Sequence, residues 1–247
     1  MVTDLLPVFW LTLRQFLESK SIRVVALLAA APLLLGGIEI LATGRDSDVR
    51  TFLGPLFNEL SIPTLLPLIA LILATTAISN EISDRTLIYL TLKPLSRMRL
   101  ILEKLSAVFL TGTLIAISFA FLVWIALGLT ASTADGNLLV AMFVASIFAV
   151  AGYASAFSLL SLMVNRVLLA GLIYVLFWES LLARFIPGVR LLSIRHYVQS
   201  IYTDILGDGR ITIAQQTTIS TAVMVLVSLV LIAIVLSYLQ LRRMDLD

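Results

Sequence analysis

The sequence contains no cysteine and a single histidine, His196. The first absence removes disulfides, thiol nucleophiles and thiolate metal sites. The second leaves no histidine cluster for a metal, since one imidazole needs carboxylates converging on it. Charge is scarce as well: Asp, Glu, Lys and Arg make up 13% of the 247 residues, about half the share found in a soluble globular domain. The net charge is only +2, which gives no electrostatic reason to bind nucleic acid. No segment carries the Gly-x4-Gly-Lys-Ser/Thr loop that cradles nucleotide phosphates. Gly36-Gly37 and Gly207-Asp208-Gly209 lack the strand and helix that such loops need. The chain is therefore not expected to hydrolyse nucleotide by itself, and no cofactor is expected within it.

What is abundant is apolar surface. Hydrophobic residues make up 60% of the chain and the mean hydropathy is +1.06, values that point to an all-α integral membrane protein. The length leaves room for six spans of about 20 residues and little beyond short loops, so residues 1–247 read as a single transmembrane domain. The expected spans are 22–41, 64–80, 100–127, 138–163, 167–186 and 217–239. Pro32 is expected to kink the first. The second is short alone, so its helix should continue past Glu81 or begin before Pro67. Between these two, residues 42–63 are polar and hold Arg45, Asp46, Asp48 and Arg50. Val49, Phe52, Leu53, Leu56, Phe57 and Leu60 nevertheless keep a helical period, read as a short amphipathic segment at the opposite membrane face. The fourth span is rich in small residues, Ala145, Ala149, Gly152 and Ser155, which suit close helix contact.

Residues 1–20 do not read as a secretory signal, because Asp4 and Pro7 stand where a basic segment belongs and Arg14, Glu18 and Lys20 interrupt the apolar run. Leu6, Trp10, Leu13 and Leu17 share one helical face and Asp4, Arg14, Gln15 and Glu18 the other, the pattern of a helix lying in the membrane interface. With both termini inside, the inner segments hold Arg14, Lys20, Arg23, Arg85, Lys93, Arg97, Arg99, Lys104, Arg166, Arg242 and Arg243, eleven of the 17 basic residues. The positive-inside rule thus favours cytoplasmic termini.

Three places carry candidate chemistry. Residues 80–97 are the densest charged stretch in the chain. Leu87, Ile88 and Leu90 offer an apolar ridge, while Arg85, Lys93, Arg97 and Arg99 are placed to meet acidic partner residues or lipid headgroups. Pro94 should end this helix and Ser96 cap the next. The stretch reads as a cytoplasmic docking element, against the plainer reading of a solvated basic loop. Glu179 lies well inside the fifth apolar run, where an isolated carboxylate costs about 2.5–3.5 kcal/mol, so it should face a cavity, a partner or another helix. It is a candidate for the translocation path or an outer gate; the alternative is a helix–helix hydrogen bond or a pair with Arg184 or Arg190. Pro187, His196 and Tyr197, in the outer segment after that span, are gate candidates too, His196 and Tyr197 most simply an interfacial pair. Ser155 sits among small residues, but a serine nucleophile needs a base within about 3 Å. The only histidine lies off that span, so packing is the expected role and an intramembrane protease the weaker reading.

Glu81, Arg85-Thr86-Leu87, Leu90, Lys93-Pro94-Leu95-Ser96-Arg97 and Glu103-Lys104 together resemble the signature of permeases of the ATP-binding-cassette type 2 (ABC-2) exporter family. In that family a glutamate leaving the second span is followed by a Gly-Thr-Leu or Arg-Thr-Leu step, a run of leucines, a Pro-x-Ser-Arg turn and a Gly-Lys pair opening the third span. Arg85 here occupies the common glycine place, and Glu103 stands where glycine often precedes Lys104. The resemblance implies six spans behind an interfacial helix, a cytoplasmic coupling helix between spans two and three, and short extracellular helices between spans five and six. It also implies two cytoplasmic ATPase partners carrying ATP and Mg, and a second permease, identical or not. The expected setting is the cytoplasmic membrane of a prokaryote. A self-sufficient six-span carrier would instead show internal repeats and interrupted helices with matched buried charge, and no repeat is evident.

Overall fold

The computed structural model describes residues 6–43, 49–79, 96–128, 135–182, 190–207, 209, 211, 213 and 215–243, and among these every regular element is helical. Helix α1 (Pro7–Glu18) precedes α2 (Lys20–Ala29) and α3 (Ala31–Thr43). A longer rod follows: α4 (Val49–Leu56), the π-helical stretch π1 (Phe57–Leu65), α5 (Leu66–Ala74) and a second π stretch, π2 (Thr75–Ser79). Then come α6 (Arg97–Gly128), α7 (Gly136–Met163), α8 (Val167–Ile173) continued by π3 (Tyr174–Leu182), α9 (Ile194–Leu206) and α10 (Ile219–Arg243).

Among the described residues, five helices are long and apolar enough to cross a membrane: Lys20–Ala42, Val49–Ile78, Arg97–Gly128, Gly136–Met163 and Ile219–Arg243. Six were expected, and the one expected at 167–186 is described only as far as residue 182. The apolar part of that helix is Val167–Glu179, about 20 Å long, against a hydrocarbon core of about 30 Å. The helix itself continues past Glu179 to Leu182, and residues 183–186 lie outside the described residues.

Residues 49–63 are not a separate segment at the membrane face, and of the two expectations for the second span the earlier start is the one seen. The amphipathic segment and the second span form one continuous helix, so the span begins well before Pro67. Val49, Leu53 and Phe57 keep a single buried face through the join. Pro63, which has no N–H to donate, falls inside π1, where the wider turn accommodates the missing bond. From Ile62 to Ile78 this helix is buried nearly all round, as a helix that is apolar on every side must be. In the first span α2 and α3 meet at Ala30, two residues before Pro32, where the backbone stays in the right-handed helical region.

Helix α7 is the hub, packing against α5, α6, α9 and α10. Its small residues allow this: a Cβ on Gly152 would lie 3.1 Å from Ile194 Cγ2 on α9. On α8 the approach is closer still, since a Cβ on Gly171 would stand 2.2 Å from Leu71 Cδ1, so α8 meets the buried rod at a position only glycine fits. Helix α1 turns Val8, Thr12 and Phe16 toward the bundle, against α6, and leaves Leu6, Trp10 and Leu17 exposed. The apolar face read from the sequence is thus the outward one.

Candidate functional site

Most of the stretch expected to dock a partner, Glu81, Arg85, Thr86, Leu87, Leu90 and Pro94, lies outside the described residues. Its C-terminal flank is described and begins as expected. Ser96 caps α6, its Oγ accepting from Arg99 N at 3.3 Å.

The first two turns of α6 carry four charges, and three of them, Arg97, Glu103 and Lys104, are each aimed at the end of a different helix. Arg97 donates from Nη1 to the carbonyl of Leu241 in the last turn of α10, at 2.7 Å. Glu103 accepts from Val8 N at 2.8 Å and Phe9 N at 3.1 Å, and Arg99 Nε pairs with it at 2.6 Å. Lys104 donates from Nζ to the carbonyl of Ala77 in π2, at 2.6 Å. Glu103 is 3% exposed and Lys104 1%. In each case the sign suits the helix end: the carboxylate faces the positive N-terminus of α1, and the two cations face negative C-termini. Each also satisfies backbone groups that a helix end leaves without partners. The result is a clasp that joins α1, the end of the second span, α6 and α10 beside residues 80–95.

Glu103 therefore does not serve close backbone approach, the role a glycine there would have. Its long side chain reaches α1, a partner that was not foreseen. A signal did exist: α1 has Leu6 at its N-cap, with no capping side chain and no acidic residue in its first turn, so its N–H groups require an acceptor from elsewhere.

At the opposite end of the bundle, Glu179 is fully buried. It accepts from Tyr174 Oη at 2.7 Å, Ile194 N at 3.2 Å and Arg195 N at 3.3 Å, and takes a short bond from Ser193 Oγ. The carboxylate in π3 is thus the N-terminal cap of α9, whose own N-cap, Ser193, makes no side-chain bond to the helix. Of the two readings, the helix–helix hydrogen bond is the one seen; Arg184 lies outside the described residues. Arg195 extends the contact, from Nη1 to the Glu179 carbonyl at 3.4 Å and from Nη2 to Glu59 at 3.4 Å. Gln199 Nε2 reaches the Asn58 carbonyl at 2.8 Å, so α9 is tied to both π3 and π1. Its far end closes with Gly207 in the left-handed region, φ +61°, which suits a glycine C-cap.

Tyr197 and His196 contact each other edge to face, ring centroids 5.3 Å apart, and Tyr197 Oη donates to the Leu191 carbonyl at 2.7 Å. Pro187 lies outside the described residues. Ser155 donates to the carbonyl of Gly152 in its own helix, at 2.9 Å. His196 is 2% exposed, and neither ring nitrogen meets a hydrogen-bond partner among the described residues. Burial, with the Arg190 charge adding to it, holds its pKa below the usual histidine value. The unfolded chain then binds the proton first, so stability is full at neutral pH and falls as pH drops below about 6.5. Melting midpoints taken from pH 7.5 down to 5.5 should decline more steeply for the wild type than for His196→Leu, which has nothing to titrate there. Equal slopes would remove His196 as the cause.

The family model described as ABC-2 family transporter protein matches residues 18–181, which runs from the end of α1 through Glu179. Among curated proteins none matches the chain. A match over most of the length, which takes in four of the five membrane-length helices described, settles the family: the chain belongs to the ABC-2 family of transporter proteins and is a multi-pass membrane permease.

Proposed function

We propose that this permease is the membrane-spanning subunit of an ATP-driven exporter, and that separate cytoplasmic ATPase subunits dock on residues 81–97. ATP and Mg reside in those partners, and a second permease, identical or not, completes the transport path. Both termini face the cytoplasm of a prokaryotic cell, and residues 80–95 with them. The observation that carries this reading is the clasp of Arg97, Glu103 and Lys104. It begins at the end of the docking stretch and holds the ends of α1, the second span and α10. A push on that stretch by an ATPase therefore reaches four helices at once. At the far end α9, capped by Glu179, is the element best placed to act as an outer gate, with His196 and Tyr197 on it.

The reading is tested by purifying the tagged permease from its native membranes in mild detergent and measuring vanadate-sensitive ATPase activity in the eluate. The double variant Glu81→Ala, Leu87→Asp should lose at least ten-fold of that activity while the permease itself is recovered in equal amount. Undiminished activity would rule out docking at this stretch.

A further inference from the structure

Helices α8 and α10 both pack against α7 and leave a cavity of about 660 Å³ between them, bordered by Phe157, Leu160, Ala170, Leu229, Ala233 and Leu236. Its lining is almost wholly apolar. The two hydroxyls on its wall are already engaged, Tyr174 with Glu179 at 2.7 Å and Ser228 with the Met224 carbonyl at 2.8 Å, so nothing inside invites a polar ligand. Leu168, Leu169 and Ile173 of α8 and Leu231, Ile232 and Val235 of α10 flank it and remain exposed, so the bilayer surrounds the opening. A transmembrane helix about 10 Å across and about 30 Å long fills about 2,400 Å³, so the cavity admits a hydrocarbon chain but not another helix.

Charge identifies what the chain is attached to. Ala170 lies one turn beyond Arg166, and Leu236 lies about 9 Å along α10 from Arg242. Arg97 joins the start of α6 to the end of α10, and α7 runs back to the level where α6 starts. Arg166, Arg242 and Arg243 therefore sit at the same end of the bundle, one to two turns beyond the Ala170 and Leu236 end of the cavity. All three are exposed, and none bonds to a described residue. We infer that this cleft holds an acyl chain of an anionic membrane lipid, whose phosphate is received by Arg166, Arg242 and Arg243. The acyl chain passes from one apolar medium to another, so its burial alone adds little, and the guanidinium groups select the lipid by its headgroup, since basic pockets between membrane helices take anionic lipids. The site is independent of any ATPase, so its failure would leave the proposed function untouched.

The test reconstitutes the full permease in phosphatidylcholine nanodiscs doped with phosphatidylglycerol, followed by release and native mass spectrometry. The wild type should retain phosphatidylglycerol at least ten-fold over its share of the bilayer. Arg166→Gln, Arg242→Gln, Arg243→Gln together, all surface changes that leave the core intact, should abolish that enrichment while phosphatidylcholine adducts stay constant. Ser228→Phe, which places a ring in the open cleft, should displace the lipid with all three arginines present. Free glycerol phosphate in excess should not compete. The inference is overturned by equal retention of both lipids, by enrichment that survives Ser228→Phe, or by competition from glycerol phosphate. A cleft filled by a second copy of the chain, seen as a dimer that Ser228→Phe splits and a wild type without lipid, would overturn it too.

Discussion

Replacing Glu179 with leucine is expected to lower the melting midpoint of the detergent-purified permease by about 10 °C. The side chain receives four hydrogen bonds, two from the first N–H groups of α9 and two from hydroxyls. Leucine matches it in size but accepts none of them. Leaving a buried donor unsatisfied costs about 1–3 kcal/mol. The hydroxyls can rotate to other acceptors, but the N–H groups of Ile194 and Arg195 cannot, which puts the loss at about 3 kcal/mol. For a chain of this size each kcal/mol moves the midpoint by about 2–4 °C. Glu179→Gln is the informative control. Its amide oxygen still accepts from the backbone of α9, so about half the stability should return. A leucine variant melting within about 2 °C of the wild type would show that α9 is held by its apolar contacts alone. The consequence reaches function, because α9 is otherwise joined to π1 through Arg195 and Gln199, and without its cap it is the element that would lose its fixed place.

The second large effect is expected at Glu103. Substituting glycine would restore the residue that related permeases commonly carry, yet here it should release α1. Val8 N and Phe9 N lose their acceptor, and Arg99 loses its partner. Because Arg99 is 42% exposed, solvent screens its share, and the main cost to α1 is the cap, about 2–3 kcal/mol for its two lost bonds. The cost is local, so global melting is a poor readout. Amide hydrogen exchange over residues 7–18 should accelerate about 30- to 100-fold, since each 1.4 kcal/mol is a factor of ten. Glu103→Gln should fall between the two. Unchanged exchange in the glycine variant would mean that Val8, Thr12 and Phe16 hold the helix without the carboxylate.

These two residues show where sequence reasoning stopped. Glu179 stood out in the sequence because it is a carboxylate inside an apolar run, and that isolation implied some partner. It did not name the partner, which lies 14 to 16 residues on, at the start of α9. Glu103 was noticed only as a departure from a motif, and its partner is 95 residues away. Ser96, by contrast, was legible as a cap because its bond spans three residues. The reach of the interaction along the chain separates the cases.

The sequence by itself determined the class of protein and the position of most spans. Runs expected at 100–127 and 138–163 are the helices Arg97–Gly128 and Gly136–Met163, because a backbone in hydrocarbon must bond to itself and a helix of about 20 apolar residues is the local way to do so. Residues 81–104 also pointed to the ABC-2 family before any fold was known. Tertiary structure alone decided how far before Pro67 the second span begins, that Glu179 in the helix from 167 caps α9, and that Arg97, Glu103 and Lys104 each hold a different helix end. Those outcomes depend on which orphan backbone group comes within reach of which charge, and only the packed bundle sets that distance.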